Sequence, residues 1–294
     1  MINELIATLR REGGARMRTA ITGNERLTTT ELASPEEPGL FGPDSVVWRV
    51  HGESSMLIGG LRALLLQTLH PLAMAGVADH SDYTSDPWGR LHRTGRFVGA
   101  TTYGTLETAE QMIAVVRTIH DRVSGFAPDG RPYSANDPHL LAWVHVTEVD
   151  SFLSAYDRYA GGRLTDSERD RYVAELSEIG HRLGAEPLPQ STAELKATMR
   201  SFRAECHLTE QAAEAALFLL APPVPLSLRP AYGLIGAAAV SMLPRWARLE
   251  LMMPMPPFVE PLAIRPAATA LTRGIGWLLR DDPTRPAAPS QLNS

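Results

Sequence analysis

The segment from Leu57 to Ala78 is apolar on nearly every side; after Gly59-Gly60 it reads LRALLLQTLHPLAMAGVA. A helix without a polar face has to be enclosed by other elements, so this stretch predicts a buried helix at the centre of the domain. Pro71 removes a ladder hydrogen bond and clashes with the preceding turn, which predicts a kink near Gln67–His70 and irregular backbone beside polar side chains. Gln67 and His70 are therefore candidate pocket residues, with capping of the kinked backbone as the alternative role.

Between Thr105 and Gly125 the apolar positions Ala109, Met112, Ile113, Val116 and Val123 follow the spacing of a core-facing helix. Thr105 or Thr108 suits the N-cap, and Gly125 stands where a left-handed C-terminal cap belongs. His120 falls on the same stripe, so an imidazole is aimed inward. A buried imidazole needs a partner, because an unpaired polar group costs roughly 1–3 kcal/mol. Periodicity leaves two readings open, a core histidine bonded to a carbonyl or carboxylate and a metal ligand. On the preceding helix, opened by Asp86-Pro87 as N-cap and first-turn proline, Arg90, Arg93, Thr94 and Phe97 recur on one face. Two permanently charged guanidiniums require anionic partners or water. Haem propionates, an oxygen species or a substrate carboxylate would serve, as would a solvated face paired with Asp79, Asp82 or Asp86.

At 294 residues and 44% hydrophobic, with no Gly/Ser- or Pro-rich linker at mid-chain, the sequence suits one large domain. A net charge of −5 argues against a general nucleic-acid binder. Lys196 is the only lysine, a skew from which no mechanism follows. The single cysteine, Cys206, excludes an internal disulfide framework and any cysteine-based zinc or iron–sulfur cluster held by this chain alone, and suggests a reducing compartment. Met1–Gly14 lacks the apolar core of a secretory signal. The longest span candidate, Ala231–Leu243, is shorter than the roughly 20 residues a membrane helix needs. A cytoplasmic protein without a transmembrane segment is expected.

Along the chain, residues 1–44 read as an N-terminal arm with a short helix over Asn3–Arg11, residues 45–280 as one domain, and residues 281–294 as a polar, Pro-rich disordered tail. The pattern SVVWRVHG at Ser45–Gly52 fits a short strand or the lead-in to a helix. Asp79-His80-Ser81-Asp82 has metal-ligand residue types but reads better as a helix-ending turn. Phe126–Asn136 is a loop rich in Pro and Gly. Asp137-Pro138 starts another helix, on which His145 is a second inward imidazole and the rival ligand. Capping boxes at Thr165/Glu168 and Ser191/Glu194 open helices to about Leu183 and Cys206, Thr209 caps one to Leu220, and apolar helices follow over about Pro230–Leu243 and Pro266–Leu279. With no βαβ alternation, the class is all-α. The Glu-x-x-His pair of a di-iron bundle occurs once, at Glu178/His181, where two copies are needed. The H-E-x-x-H, G-x-S-x-G, P-loop and dinucleotide-binding patterns are absent.

Taken in order, WRVHGE (Trp48–Glu53), GGLRALLLQTLHPLAMAGVADHS (Gly59–Ser81), DPWGRLHRT (Asp86–Thr94), VRTIHDRVSG (Val116–Gly125) and DPHLLAWVHVTEVDS (Asp137–Ser151) resemble the catalytic domain of bacterial rubber oxygenases, or latex-clearing proteins. The same domain occurs in the endoplasmic-reticulum-bound oxygenase of mycophenolic acid biosynthesis. The resemblance covers about residues 45 to 250. It implies an all-α fold with a globin-like core and a haem b (iron protoporphyrin IX) held by one proximal histidine, which matches His120. It further implies a distal arginine at Arg90, a basic residue at Arg93 and a threonine at Thr94. Rubber-cleaving members have lysine where this chain has Arg93, and no secretion signal is evident, so a small apolar substrate with O₂ is expected rather than rubber. In this reading His120 Nε2 binds iron while a carbonyl or carboxylate orients Nδ1, and Leu64–Leu66, Leu69 and Met74 give an apolar lining. Gln67, His70, Arg90 and His145 are further candidates for contact with the cofactor. The competing functions are a haem-binding sensor or carrier without turnover, and a cofactor-free helical protein whose basic face binds an acidic ligand. Oligomeric state is not legible.

Overall fold

The structure, a computed structural model, describes residues 27, 28, 30–81 and 85–279. The helix expected over Asn3–Arg11, Asp82 and the tail from residue 281 lie outside the described residues. The class is all-α, with one short β-hairpin among the described residues. Helices α1 (Val46–His51), α2 (Met56–Gln67), α3 (Pro71–His80), α4 (Pro87–Tyr103) and α5 (Leu106–His120) are followed by strands β1 (Ser124–Phe126) and β2 (Pro132–Ser134). Then come α6 (Pro138–Tyr159), α7 (Asp166–Leu183), α8 (Thr192–Ser201) with a 3₁₀ turn (Phe202–Ala204), α9 (Glu210–Leu220), α10 (Arg229–Met242), α11 (Arg245–Glu250) and, after a π turn (Glu260–Ile264), α12 (Arg265–Leu279).

Caps place these helices much as the sequence predicts. Asp86 and Asp137 accept backbone N–H bonds ahead of proline at the first helical position. Thr105, Ser191 and Thr209 cap their helices, and Thr165 and Glu168 complete a reciprocal capping box. The ambiguous Ser45–Gly52 stretch is the helix α1, capped by the Ser45 hydroxyl.

The apolar segment does lie at the centre, as two helices rather than one kinked helix. α2 ends at Gln67, α3 begins at Pro71, and their axes bend by 104°. His70, before the proline, is extended. The Leu69 carbonyl freed by the break accepts the His207 backbone N–H at 2.9 Å, and the Thr68 hydroxyl donates to Leu65 O. No single helix among the described residues is long and apolar enough to cross a membrane.

The largest helix–helix interface joins α2 to α6. A Cβ on Gly59 would lie 2.9 Å from Phe152 Cδ1 and 3.1 Å from the Ser151 carbonyl, so glycine is what lets these backbones approach. Arg62 is 3% exposed on α2, and each of its three guanidinium nitrogens donates a hydrogen bond. It donates to Asp150 Oδ2 at 2.7 Å, Ser151 Oγ at 2.6 Å and Met242 O at 3.0 Å, tying α2 to α6 and α10. Leu65, Leu66, Leu69 and Met74 are buried, as the apolar run requires of core residues.

Gly125 is also corrected. α5 stops at His120, and Gly125 lies in β1 opposite Tyr133 of the hairpin formed by the predicted loop. Its missing Cβ admits the Tyr133 ring, whose hydroxyl would otherwise sit 2.6 Å away.

Candidate functional site

The site builds up from two helices that pack on each other, α4 and α5. On α4, the stripe that buries Ala100 and Thr101 continues toward the N-terminus as Phe97, Thr94, Arg93 and Arg90. Phe97 packs on the core and Arg90 is half-buried, whereas Arg93 and Thr94 are exposed. The inward face of α4 thus opens toward solvent where its polar residues begin. Arg90 Nη1 donates to Ser81 Oγ at 2.6 Å. Arg93 pairs with Asp86 at 3.2 Å, both side chains being more than half exposed. Asp86 is the helix cap as well, and its bonds from the Gly89 N–H and then Arg93 hold its carboxyl below the usual range.

On α5, Ala109 and Ile113 are buried and Met112, Val116 and His120 half-buried, the stripe expected from periodicity. His120 is the last helical residue. Its Nδ1 is shut off from solvent and has no hydrogen-bond partner, so the carbonyl or carboxylate expected to orient that nitrogen is not there. Desolvation holds the imidazole below the ordinary histidine pKa, with Asp121 opposing, so the ring is neutral near pH 7. A cleft of about 600 Å³ lies along α5 but is lined by Glu110, Ile113, Ala114, Arg117, Thr118, Asp121 and Arg182, mainly the face turned to α7.

The other candidates are engaged elsewhere. Gln67 Nε2 donates to Thr147 Oγ1 at 3.2 Å and Val144 O at 3.4 Å, bridging α2 and α6. His145 faces α7, where its Nδ1 would lie 3.0 Å from a Cβ on Gly180. Desolvation and the neighbouring His181 pull it down to about 4. His70 turns toward His139 and Glu205. The Asp79–Asp82 stretch forms no metal cluster among its described residues: the Asp79 carboxylate accepts from the Tyr133 hydroxyl, His80 Nε2 bonds Ser124 O, and Ser81 holds Arg90.

Two further half-buried groups have strongly shifted charge states, Glu148 on the face that the sequence shares among Leu141, Val144 and His145, and His51, which sequence reasoning missed. His51 bridges Thr102 Oγ1, at 2.8 Å from Nδ1, and the Tyr172 hydroxyl, at 3.2 Å from Nε2; desolvation lowers its pKa to about 3. Glu148, next to Gln67, is pushed up to about 7 by desolvation. Both lie inside the quoted motifs, and for His51 only packing reveals the burial.

A family model described as the ER-bound oxygenase mpaB/B′ and rubber oxygenase catalytic domain matches residues 48–280. No curated protein and no solved structure matches the chain.

Proposed function

The chain belongs to the family of the mpaB/B′ and rubber oxygenase catalytic domain, and from that membership together with the α4–α5 geometry we propose that it is a haem b-dependent oxygenase acting on a small apolar molecule. The observation that carries the reading is His120: an inward, neutral imidazole with a solvent-shielded nitrogen that has no partner among the described residues. Such a group fits a metal ligand: imidazole binds iron only through an unprotonated nitrogen, and iron on Nδ1, rather than on the Nε2 expected from the sequence, would replace a missing bond worth roughly 1–3 kcal/mol. Bound haem would be held through its iron by His120.

Bound haem would supply the oxidation of substrate by O₂. This chain's own residues have three tasks. Arg90, fixed by Ser81, and Arg93, fixed by Asp86, would offer positive charge to an anionic group of the cofactor or substrate. Thr94, a helical turn beyond Arg90, offers a hydroxyl donor on the same face. His120, kept neutral near pH 7 by desolvation, would offer iron an unprotonated nitrogen.

Haem titrated into purified protein should give a Soret band saturating at one equivalent. Oxygen consumption with isoprenoid and fatty-acyl test substrates should fall by about 10²-fold or more in Arg90→Ala while the Soret band persists, the scale of losing one preorganised donor. Full turnover in Arg90→Ala would remove that residue from the chemistry. Haem binding without oxygen uptake on any substrate would favour a sensor or carrier.

A further inference from the structure

Three side chains with no common stretch of sequence converge beside the break between α2 and α3. His70 caps α3, His139 occupies the first turn of α6, and Glu205 follows the 3₁₀ turn after α8. His139 Nε2 lies 3.0 and 2.9 Å from the two Glu205 carboxylate oxygens, and His70 Nε2 lies 3.4 Å from Oε2. One donor atom from each residue falls within 4.8 Å of the others.

We propose that His70, His139 and Glu205 form a three-ligand site for a divalent transition-metal ion of the zinc type, separate from the α4–α5 face and independent of the haem reading. The donor set of two imidazoles and one carboxylate is that of an open zinc site with a position left for water. Bonds of about 2.0–2.1 Å in a tetrahedral arrangement put neighbouring donor atoms about 3.3 Å apart. The separations of 2.9 and 3.4 Å from Glu205 Oε2 bracket that spacing, and the two imidazole nitrogens lie within 4.8 Å of each other.

The rings are held for the task by their packing. His139 lies against Phe202 with centroids 4.5 Å apart, and His70 is wedged between Trp143 and Phe202 at 6.2 and 6.4 Å. His70 Nδ1 is buried without a partner, which leaves Nε2 as the functional nitrogen of that ring. His70 is 1% exposed, while the His139 side chain is 52% and that of Glu205 40% exposed, so the site has a closed floor and an open mouth through which an ion and its water can enter. The nearby cation Arg131 is already paired with Asp129 at 2.7 Å and leaves Glu205 to the imidazoles. An ion here would tie together the α2–α3 break, the start of α6 and the end of α8.

Calorimetric titration of Zn²⁺ into the full chain should show one site with micromolar or tighter affinity. Glu205→Gln and His139→Gln should each weaken it by about tenfold or more, and His207→Gln and His120→Ala should leave it unchanged, so failure of the haem reading would not register here. His139 and Glu205 reach solvent, so unchanged circular dichroism is expected in both variants. No binding by the wild type, or wild-type affinity in either Glu205→Gln or His139→Gln, overturns the proposal.

Discussion

Among single residues, burial sets charge state. Desolvation holds His51 at about 3 and His145 at about 4, and pushes Glu148 up to about 7. The signs oppose. A histidine with a depressed folded pKa contributes stability that is present above its unfolded value of 6.5 and lost as pH falls toward the folded value. Glu148 contributes stability that is present below its unfolded value of 4.5 and lost as pH rises through about 7. Between those two unfolded values, the two histidines outweigh the one carboxyl, and these three groups together contribute a rise in stability of about 1.4 kcal/mol per pH unit. Glu148→Gln removes the opposing proton and should steepen that slope to about 2.7 kcal/mol per unit. His70 and His120 are lowered in the same direction and add equally to both proteins. Urea unfolding at about pH 5 and about pH 6 reads the difference; equal slopes would contradict the burial of Glu148.

For the elements, cap chemistry was legible because it is local. Asp86-Pro87, Asp137-Pro138 and the Thr165/Glu168 box each fix a helix start within four residues of sequence. Pro71 was read as a kink, yet here the backbone turns by 104°, because the tertiary partner His207 accommodates the freed carbonyl. Gly125 was read as a cap because its neighbours continue an apolar stripe, and the competing hairpin depends on Tyr133, which no local period reveals. The α2–α6 contact gives the sharpest test of the packing. Gly59→Ala should cost about 1–3 kcal/mol through overpacking against Phe152 and the Ser151 carbonyl. Gly60→Ala, whose Cβ would meet nothing closer than Phe152 Cε1 at 3.9 Å, should be neutral or stabilising by up to about 1 kcal/mol. Thermal unfolding of the two variants should separate them, and equal melting temperatures would show that α2 and α6 are not so closely opposed.

Across the whole molecule, the chain surrounds α2 with helices, and among the described residues the N-terminal part of the inward α4 face is open to solvent, beside a helix that ends in a half-buried imidazole. That placement of His120 follows from a repeat within one helix and was readable in the sequence. The His70, His139 and Glu205 cluster was not, since its members lie 66 to 135 positions apart and meet only through tertiary folding. Family membership over residues 48–280 gives the chain its oxygenase class, and His120 is the residue on which the cofactor reading turns. The decisive measurement is the visible absorption spectrum of haem-loaded wild type beside His120→Ala and His145→Ala. The account predicts a Soret band in wild type and His145→Ala, and its loss or shift to that of unligated haem in His120→Ala. An unaltered band in His120→Ala would contradict it.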